Sequence, residues 1–316
     1  MGLFHVANAG LFSTVQDLGR YGYLRYGVPV SGAMDQFSLV AANLLVGNKA
    51  DDACLEMTVL GPELQVLGDT QIAIAGSDCS PRINGESVSL WCTLSAKKGD
   101  VVSFGRMQGG CRAYLAVRGG VNTPLVLGSR STYVRGGFGG LDGRKLRNGD
   151  TIEGFDVPPL NFEYSMPEEL VPQFTDHFEA RVVLGPQADM FTEGGVKVFL
   201  SGSFKVASEA DRMGYRLEGP LVEHRGKADI VSDALLPGAV QVPKDGKPIV
   251  LMRDAQTTGG YPKIAVVVAS DLSMIGQAKP GSTIEFSKVT LREAQEKARG
   301  FFGLLRNLGG FLVRNR

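Results

Sequence analysis

The sequence has 316 residues, of which 43% are hydrophobic and 21% are charged, ordinary values for a globular protein of about two domains. Basic and acidic residues number 33 each, so the formal net charge is zero and no overall basic field would attract nucleic acid or an anionic membrane. The 42 glycines favour a β-rich chain with many tight turns, and a neutral surface favours association with other proteins.

The cysteines and histidines indicate neither a disulfide framework nor a metal site, because no CxxC or clustered His spacing occurs. The first residues, MGLFHVANAG, lack the charged and apolar regions of a signal peptide, and the apolar stretches are too short to cross a membrane. We therefore expect a cytoplasmic protein with reduced thiols and no bound metal. The residues concerned are Cys54, Cys79, Cys92, Cys111, His5, His177 and His224.

The first half contains one clear helix and several strands. In GAMDQFSLVAANLLVGN the apolar residues from Phe37 to Leu45 recur with helical spacing, and Gly47 marks the end. The segments QIAIAG, SVSLW, DVVSF and AYLAVRGG then alternate with turn residues, a pattern typical of a β-sandwich or barrel.

Three short segments share one pattern: a basic residue, a glycine-containing turn and a strand. They are KKGDVVSF (97–104), RNGDTIEG (147–154) and KPGSTIEF (279–286). Two interpretations are open. Either one hairpin solution recurs, or two related β domains each end in this way.

A proline-rich stretch, 155–180, is the best candidate for a linker. After it, ARVVLGPQADMF, KVFLSG, PIVLM and IAVVVA are predicted strands. At the C-terminus, Thr290 and Glu293 have the spacing of a helical capping box before an apolar stripe. This helix packs on its own domain or binds a partner or membrane surface. The predicted domains are 1–160, 180–290 and a C-terminal helix over 291–316.

Two polar clusters are the main candidates for chemistry. In LGSRST, residues 129–132 could surround an anion, with Arg130 binding a carboxylate, while the spacing fits neither a P-loop nor a dinucleotide fingerprint. In RDAQTTGGYPKIA, from Arg253 to Ala265, an acid, amide and hydroxyl groups lie between two predicted core strands. With Gln241 they suit a neutral lactam or urea-like ligand, although an elaborate turn is the alternative.

Several motifs, in order, resemble the biotin-dependent carboxyltransferase family over roughly residues 3–290. They are TVQDLGRYGYLRYGVPVSGAMD, AANLLVGN, LEMTVLGPEL, LGSRSTY, DRMGYRLEG, GAVQVPKDGKPIVLMRDAQTTGGYPKIA and GQAKPGSTIEF. This family includes the second subunit of allophanate hydrolase, the Kip-type antagonist KipA and the C subunit of bacterial 5-oxoprolinase. The resemblance implies a mainly β fold of two cyclophilin-like β-barrel domains, with few short helices and a C-terminal helix.

The resemblance also implies a place in a hetero-oligomeric hydrolase that uses ATP at the level of the complex. The partners would be a Kip-inhibitor-type protein, which resembles the B subunit of 5-oxoprolinase, and a lactam-utilisation protein, which resembles its A subunit. The implied reaction opens the cyclic amide 5-oxoproline to glutamate. In the urea-carboxylase branch, the same domain transfers a carboxyl group from carboxybiotin to urea or acts on allophanate.

The resemblance places the ligand cleft among LGSRST, QVP and DAQTTGGYP. It implies catalytic roles for Arg130, Asp254, Thr257 and Thr258. It implies substrate contacts for Thr132, Gln241, Gly259, Gly260 and Tyr261, with Asn43, Glu56, Arg212 and Gln277 as second choices.

The sequence contains no biotin-carboxylase part and no biotinyl-lysine motif of the MKM type. Another protein would therefore have to bring carboxybiotin, which favours the 5-oxoprolinase branch. A third interpretation is non-enzymatic: the chain would sequester a Kip-type kinase inhibitor.

Overall fold

A computed structural model describes residues 2–315, which divide into two compact units. The first unit comprises residues 2–20, Ser31–Phe174 and 304–315, and the second comprises Tyr21–Val30 and Thr175–Gly303. Strands dominate both units, which confirms the prediction of a mainly β fold with few short helices.

The first unit contains two antiparallel sheets and a separate strand pair. Its strands are β1 (Gly2–Asn8), β2 (Phe12–Gln16), β3 (Cys54–Thr58), β4 (Glu63–Val66), β5 (Thr70–Asp78), β6 (Arg82–Ile83), β7 (Glu86–Ser87), β8 (Thr93–Ala96), β9 (Val101–Ser103), β10 (Gln108–Val117), β11 (Thr151–Glu153), β12 (Glu163–Ser165) and β22 (Val313–Asn315). One sheet has the order β11-β1-β4-β9-β6-β7 and the other β2-β3-β10-β5-β8, while β12 pairs with β22. Alternate side chains of both sheets, such as Phe4, Leu64, Leu55 and Leu115, form one core.

The predicted helix of the first unit is confirmed as α1 (Gln36–Leu45). Asp35 caps it by accepting a hydrogen bond from the backbone N–H of Ser38 at 3.2 Å. The helix packs on β5 and β10, and Leu44 is its one residue that is not buried. The helical spacing of apolar residues therefore predicted a helix that is buried on almost every side.

The second unit is built on a closed barrel. Its strands are β13 (His177–Leu184), β14 (Ser203–Val206), β15 (Gly214–Glu218), β16 (Asp233–Ala234), β17 (Ala239–Gln241), β18 (Ile249–Leu251), β19 (Thr258–Gly259), β20 (Lys263–Val267) and β21 (Thr283–Lys288). The barrel has the order β13-β20-β17-β18-β15-β14-β21, and β16 pairs with β19 outside it. Within the barrel, β13 and β21 pair in parallel and the other neighbours are antiparallel.

The remaining helices are short, apart from the last. They are α2 (Glu193–Ser201), α3 (Ala269–Ile275) and α4 (Leu291–Asn307), with 3-10 turns at Leu24–Tyr26, Glu168–Leu170, Ala188–Met190 and Leu308–Phe311. The predicted C-terminal helix is present as α4, which begins at the predicted residue but ends at Asn307, because a 3-10 turn and β22 follow it. Its capping box is present, because the N–H of Thr290 donates to Glu293 Oε2 at 2.7 Å and the N–H of Glu293 donates to Thr290 Oγ1 at 3.2 Å.

The three segments with a shared sequence pattern adopt the same turn before β9, β11 and β21. The glycine of each turn has a positive φ, of 97° at Gly99, 90° at Gly149 and 90° at Gly281, which a residue with a Cβ adopts only with strain. In each turn the residue after glycine accepts, through its side chain, a hydrogen bond from the backbone N–H three residues earlier. The sequence pattern therefore encodes one local conformation, used twice in the first unit and once in the second.

Two predicted strands are wrong. KVFLSG lies in α2, where Phe199 is fully buried and the N-terminal Thr192 hydroxyl accepts from the N–H of Gly195 at 2.9 Å. A short apolar run does not distinguish a strand from a buried helix. In SVSLW, pairing stops at Ser87, and Trp91 has a φ of 62°, which breaks the extended backbone.

Residues 2–315 provide neither a membrane-spanning helix nor a metal-binding cluster. None of the helices there has the length and apolar character needed to cross a membrane. Within the same residues, no three His, Cys, Asp or Glu side chains are grouped so that they could hold a metal ion.

Truncation of Phe286 should destabilise the second unit strongly. Its ring stacks on Phe199 with a centroid distance of 4.5 Å and lies 5.8 Å from the ring of Phe204, and all three side chains are buried. We expect Phe286→Ala to lower the free energy of unfolding by about 3–5 kcal/mol, measured by urea denaturation. Val231→Ala, at a side chain 93% exposed, should change it by less than about 0.5 kcal/mol. Equal effects of the two substitutions would contradict this core.

Candidate functional site

The polar segment 253–261 connects β18 to β20 of the barrel, and a buried ion pair fixes its beginning. Arg212 donates from Nε to Asp254 Oδ2 at 2.9 Å and from a terminal nitrogen to Oδ1 at 3.1 Å. Both side chains are 6% exposed. The backbone N–H of Asp254 also donates to the carbonyl of Arg212 at 2.8 Å. Asp254 is thus anchored through both its side chain and its backbone.

The middle of this segment lies against Gln241, the last residue of β17. Gln241 is 2% exposed, and its Nε2 donates to the carbonyl oxygen of Tyr261 at 3.1 Å. A Cβ on Gly259 would lie 3.0 Å from Gln241 Nε2 and 2.7 Å from Leu235 Cδ1. A side chain at position 259 would therefore push aside the ends of two neighbouring side chains, so packing rather than a positive φ favours glycine there.

The backbone of the segment is held while several of its side chains reach solvent. The carbonyl of Thr257 accepts from the N–H of Leu235 at 2.9 Å, and the carbonyl of Gly260 accepts from the N–H of Ile230 at 2.8 Å. Thr258 is exposed, Thr257 is half-buried and Tyr261 is 42% exposed. Hydroxyl groups on a fixed backbone are suited to bind a small polar ligand because little conformational entropy is lost when they do so.

Lys263 is a functional candidate that the sequence reasoning missed. It follows the segment directly as the first residue of β20, and its side chain is 6% exposed. Its Nζ donates to Asp233 Oδ2 at 2.6 Å and lies 3.4 Å from the carbonyl oxygen of Ala234. The hydrogen bond from Lys263 lowers the pKa of Asp233 below the usual value for an aspartate. Lysine is almost never buried this deeply unless it is paired, and Asp233 is its partner here. The position of this pair directly after segment 253–261 makes Lys263 a candidate.

Gln277 also belongs to the second unit and follows α3. Its side chain is fully buried, and its backbone N–H donates to the carbonyl of Met274 at 2.9 Å. The second unit therefore contains Arg212, Gln241, Asp254, Thr257, Thr258, Gly259, Gly260, Tyr261 and Gln277 from the predicted set.

The LGSRST loop belongs to the first unit and is arranged around the carboxylate of Asp17. Asp17 Oδ1 accepts from Ser129 Oγ at 2.7 Å, from Ser131 Oγ at 2.5 Å and from the N–H of Gly19 at 2.8 Å. Asp17 Oδ2 accepts from the backbone N–H of Arg130 at 2.6 Å. The serine hydroxyls of this loop do bind an anion, as its sequence suggests. That anion is the Asp17 carboxylate of the same chain.

Arg130 and Thr132 differ in their surroundings. The guanidinium carbon of Arg130 lies 5.0 Å from the ring centroid of Phe155, and the residue as a whole is half-buried, so part of its side chain reaches solvent. The hydroxyl of the buried Thr132 donates to the carbonyl of Val15 at 2.9 Å. Arg130 is therefore the better placed of the two to meet a ligand.

Glu56 and Asn43 are both buried and hold the two ends of α1. Glu56 Oε2 accepts from the N–H of Met34 at 2.9 Å and from the hydroxyl of Tyr114 at 2.7 Å. Burial, followed by the charge of Glu56, raises the pKa of Tyr114 well above its usual value. Asn43 Nδ2 donates to the carbonyl of Asp52 at 2.7 Å. These contacts position the backbone around the helix.

Comparisons with known proteins agree over nearly the whole chain. Residues 26–288 match the sequence family described as the carboxyltransferase domain, subdomain A and B. The chain is 38% identical to the C subunit of 5-oxoprolinase from Escherichia coli (strain K12), covering 92% of this chain and 93% of that protein. It is 34% identical to the C subunit of 5-oxoprolinase from Haemophilus influenzae, covering 91% of each. It superposes on the crystal structure of the Kluyveromyces lactis urea carboxylase with a TM-score of 0.92 at 32% identity, covering 99% of this chain and 30% of that one.

Breaking the ion pair at the start of segment 253–261 should be costly. Arg212→Met leaves the carboxylate of Asp254 buried without its bidentate partner, and we expect a loss of about 3–5 kcal/mol in the free energy of unfolding. Urea denaturation measures it. Arg212→Met/Asp254→Leu should recover part of the loss because no buried charge remains.

The control is an exposed pair of the same unit, Lys247 and Glu218, whose side chains are 47% and 65% exposed. Lys247→Met should cost less than about 1 kcal/mol. If Arg212→Met proved as mild as Lys247→Met, the buried pair would not be holding the segment.

Proposed function

The chain belongs to the carboxyltransferase domain family, subdomains A and B, and from that premise we propose that it is one subunit of an ATP-dependent 5-oxoprolinase. It would act with a Kip-inhibitor-type protein and a lactam-utilisation protein to open 5-oxoproline to glutamate in the cytoplasm. The observation that carries this proposal is that the match to the C subunit of the Escherichia coli 5-oxoprolinase extends over nearly all of both chains. ATP use is assigned to the complex rather than to residues of this chain.

Segment 253–261 supplies the groups that a lactam requires. The hydroxyls of Thr257 and Thr258 donate to the ring carbonyl and polarise it. Gly259 packs against Gln241, and Gly260 lets the ligand approach the backbone. The carboxylate of Asp254 accepts from the ring N–H while Arg212 holds it in place. Gln241 fixes the far end of the segment through Tyr261. In the first unit, Arg130 lies beside Phe155 and is a separate candidate for binding a carboxyl group that is formed or transferred in the reaction.

A second candidate is carboxyl transfer to urea or allophanate. The superposition on urea carboxylase supports it. Carboxybiotin would supply the carboxyl group when bound, delivered by another protein, and the accessible Arg130 guanidinium fits a transferred carboxylate. The chain corresponds to 30% of the urea carboxylase chain, whereas it corresponds to nearly the full length of the 5-oxoprolinase relatives, and that contrast favours the first proposal.

Growth of a deletion strain separates these enzymes from a regulatory antagonist of a Kip-type kinase inhibitor. If the chain is part of the enzyme, cells lacking the gene should fail to grow on 5-oxoproline as nitrogen source. Normal growth together with altered kinase output would support the regulator instead. Assay of the purified complex on 5-oxoproline, urea and allophanate, with and without biotin carboxylase, then identifies the substrate.

Arg130→Ala and Thr258→Ala should each reduce ATP-dependent cleavage of 5-oxoproline by about 100-fold or more in the reconstituted complex. For Thr258, loss of one donor to the developing oxyanion costs about 2.7–4 kcal/mol of transition-state stabilisation. For Arg130, the lost group is the guanidinium that binds a carboxyl group through charge-assisted hydrogen bonds. Glutamate release measures the rate. Arg106→Ala and Thr151→Ala, at exposed positions outside the predicted site, are the matched controls and should keep near-normal turnover. Near-normal turnover of both site variants would refute their assignment.

A further inference from the structure

We propose that Lys263 binds the carboxylate of an anionic substrate. Until such a ligand displaces it, the carboxylate of Asp233 forms the ion pair with the Lys263 ammonium group. This inference rests on the proposed function in one respect: it names the residue of the second unit that recognises the acid group of the substrate. The carboxylate can belong to 5-oxoproline or to a carboxylated urea, since the chemistry recognised is the same.

The first step concerns the burial of Lys263. A lysine ammonium keeps its charge in a protein interior only when an anion and hydrogen-bond acceptors replace the water that it loses. The Lys263 side chain is 6% exposed, and Asp233 Oδ2, at 2.6 Å, supplies the negative charge. The site therefore requires an anion beside Nζ.

The second step concerns the unequal exposure of the two partners. The side chain of Asp233 is 49% exposed, so it can leave Lys263 and enter water at little cost. Arg212 and Asp254 form the opposite case, because both of their side chains are 6% exposed and neither can leave without stranding a buried charge. Of these two ion pairs, Arg212–Asp254 is buried on both sides, whereas Lys263–Asp233 is open to water on the side of its carboxylate.

The third step concerns the number of donors on the lysine. An ammonium group has three N–H donors. Within residues 2–315, Lys263 Nζ donates to Asp233 Oδ2 at 2.6 Å and to the carbonyl oxygen of Ala234 at 3.4 Å. One donor remains for an incoming oxygen before Asp233 departs. Displacement can therefore proceed by exchange, without an uncompensated charge.

The fourth step concerns location. Lys263 and Gln241 are directly paired across β20 and β17, so their side chains project on the same face of the barrel wall. Asp233 lies on β16, whose partner β19 is Thr258–Gly259 in the polar segment. Lys263 is therefore the strand neighbour of Gln241, and its partner Asp233 lies on the strand that pairs with Thr258–Gly259. A ligand with both an amide and a carboxylate matches this combination better than a neutral amide does.

The test measures ligand affinity of the full chain by calorimetry, independently of turnover. The probes are 5-oxoproline, allophanate and acetate, with neutral 2-pyrrolidinone for comparison. Asp233→Asn removes the competing carboxylate and should tighten binding of the anions about 5-fold or more. Lys263→Met should weaken it at least 10-fold. Neither substitution should change the affinity for 2-pyrrolidinone by more than 2-fold.

Asp229→Asn is the matched control, since it removes the same charge from an exposed position a few residues away and should leave all affinities unchanged. If Lys263→Met fails to fold, the result for Asp233→Asn decides alone. Weaker anion binding by Asp233→Asn, an equal effect on the neutral lactam, or no binding of any of the three anions by the unaltered chain overturns the proposal. If allophanate or acetate follows the expected order while 5-oxoproline does not bind, the Lys263 assignment stands and the 5-oxoprolinase proposal fails.

Discussion

The bidentate contact between Arg212 and Asp254 is the interaction on which the polar segment of the second unit depends. It removes two charges from water, and each satisfies the other through two hydrogen bonds. Because the backbone of Asp254 is tied to the same arginine residue, the chain leaves β18 in a fixed direction. The subsequent residues can then pack a glycine against Gln241 and still present threonine hydroxyls to solvent.

The chain's own carboxylates accept hydrogen bonds from the donor groups of its polar loops, and their exposure separates the carboxylates that stay in place from the one that a ligand can displace. Asp17 is 7% exposed and holds four donors of the first unit, so it organises the LGSRST loop permanently. Asp254 is equally sealed by Arg212. Asp233 alone among these three carboxylates faces both a buried cation and water. A contact that is easily exchanged is the kind that a substrate carboxylate can take over.

Local patterns in the sequence predicted local structure well, whereas contacts between distant residues were not readable. The helical period indicated α1, the Thr290–Glu293 spacing indicated the cap of α4, and the shared glycine turns recur as one conformation. Lys263 was missed because it begins an apolar strand and its partner Asp233 lies 30 residues earlier. The serines of LGSRST suggested an external anion, since nothing local identifies an aspartate 112 residues away as their acceptor.

Hydrogen–deuterium exchange of the reconstituted complex, followed by mass spectrometry with and without 5-oxoproline, tests most directly whether segment 253–261 contacts the substrate. The backbone N–H groups of Thr257, Thr258 and Tyr261 lie among exposed or half-buried side chains, where a bound lactam would shield them. We predict slower exchange in peptides that span this segment when 5-oxoproline is present, and no change with proline, which lacks the ring carbonyl. Unchanged exchange in these peptides at a 5-oxoproline concentration that saturates turnover would contradict the assignment of the site.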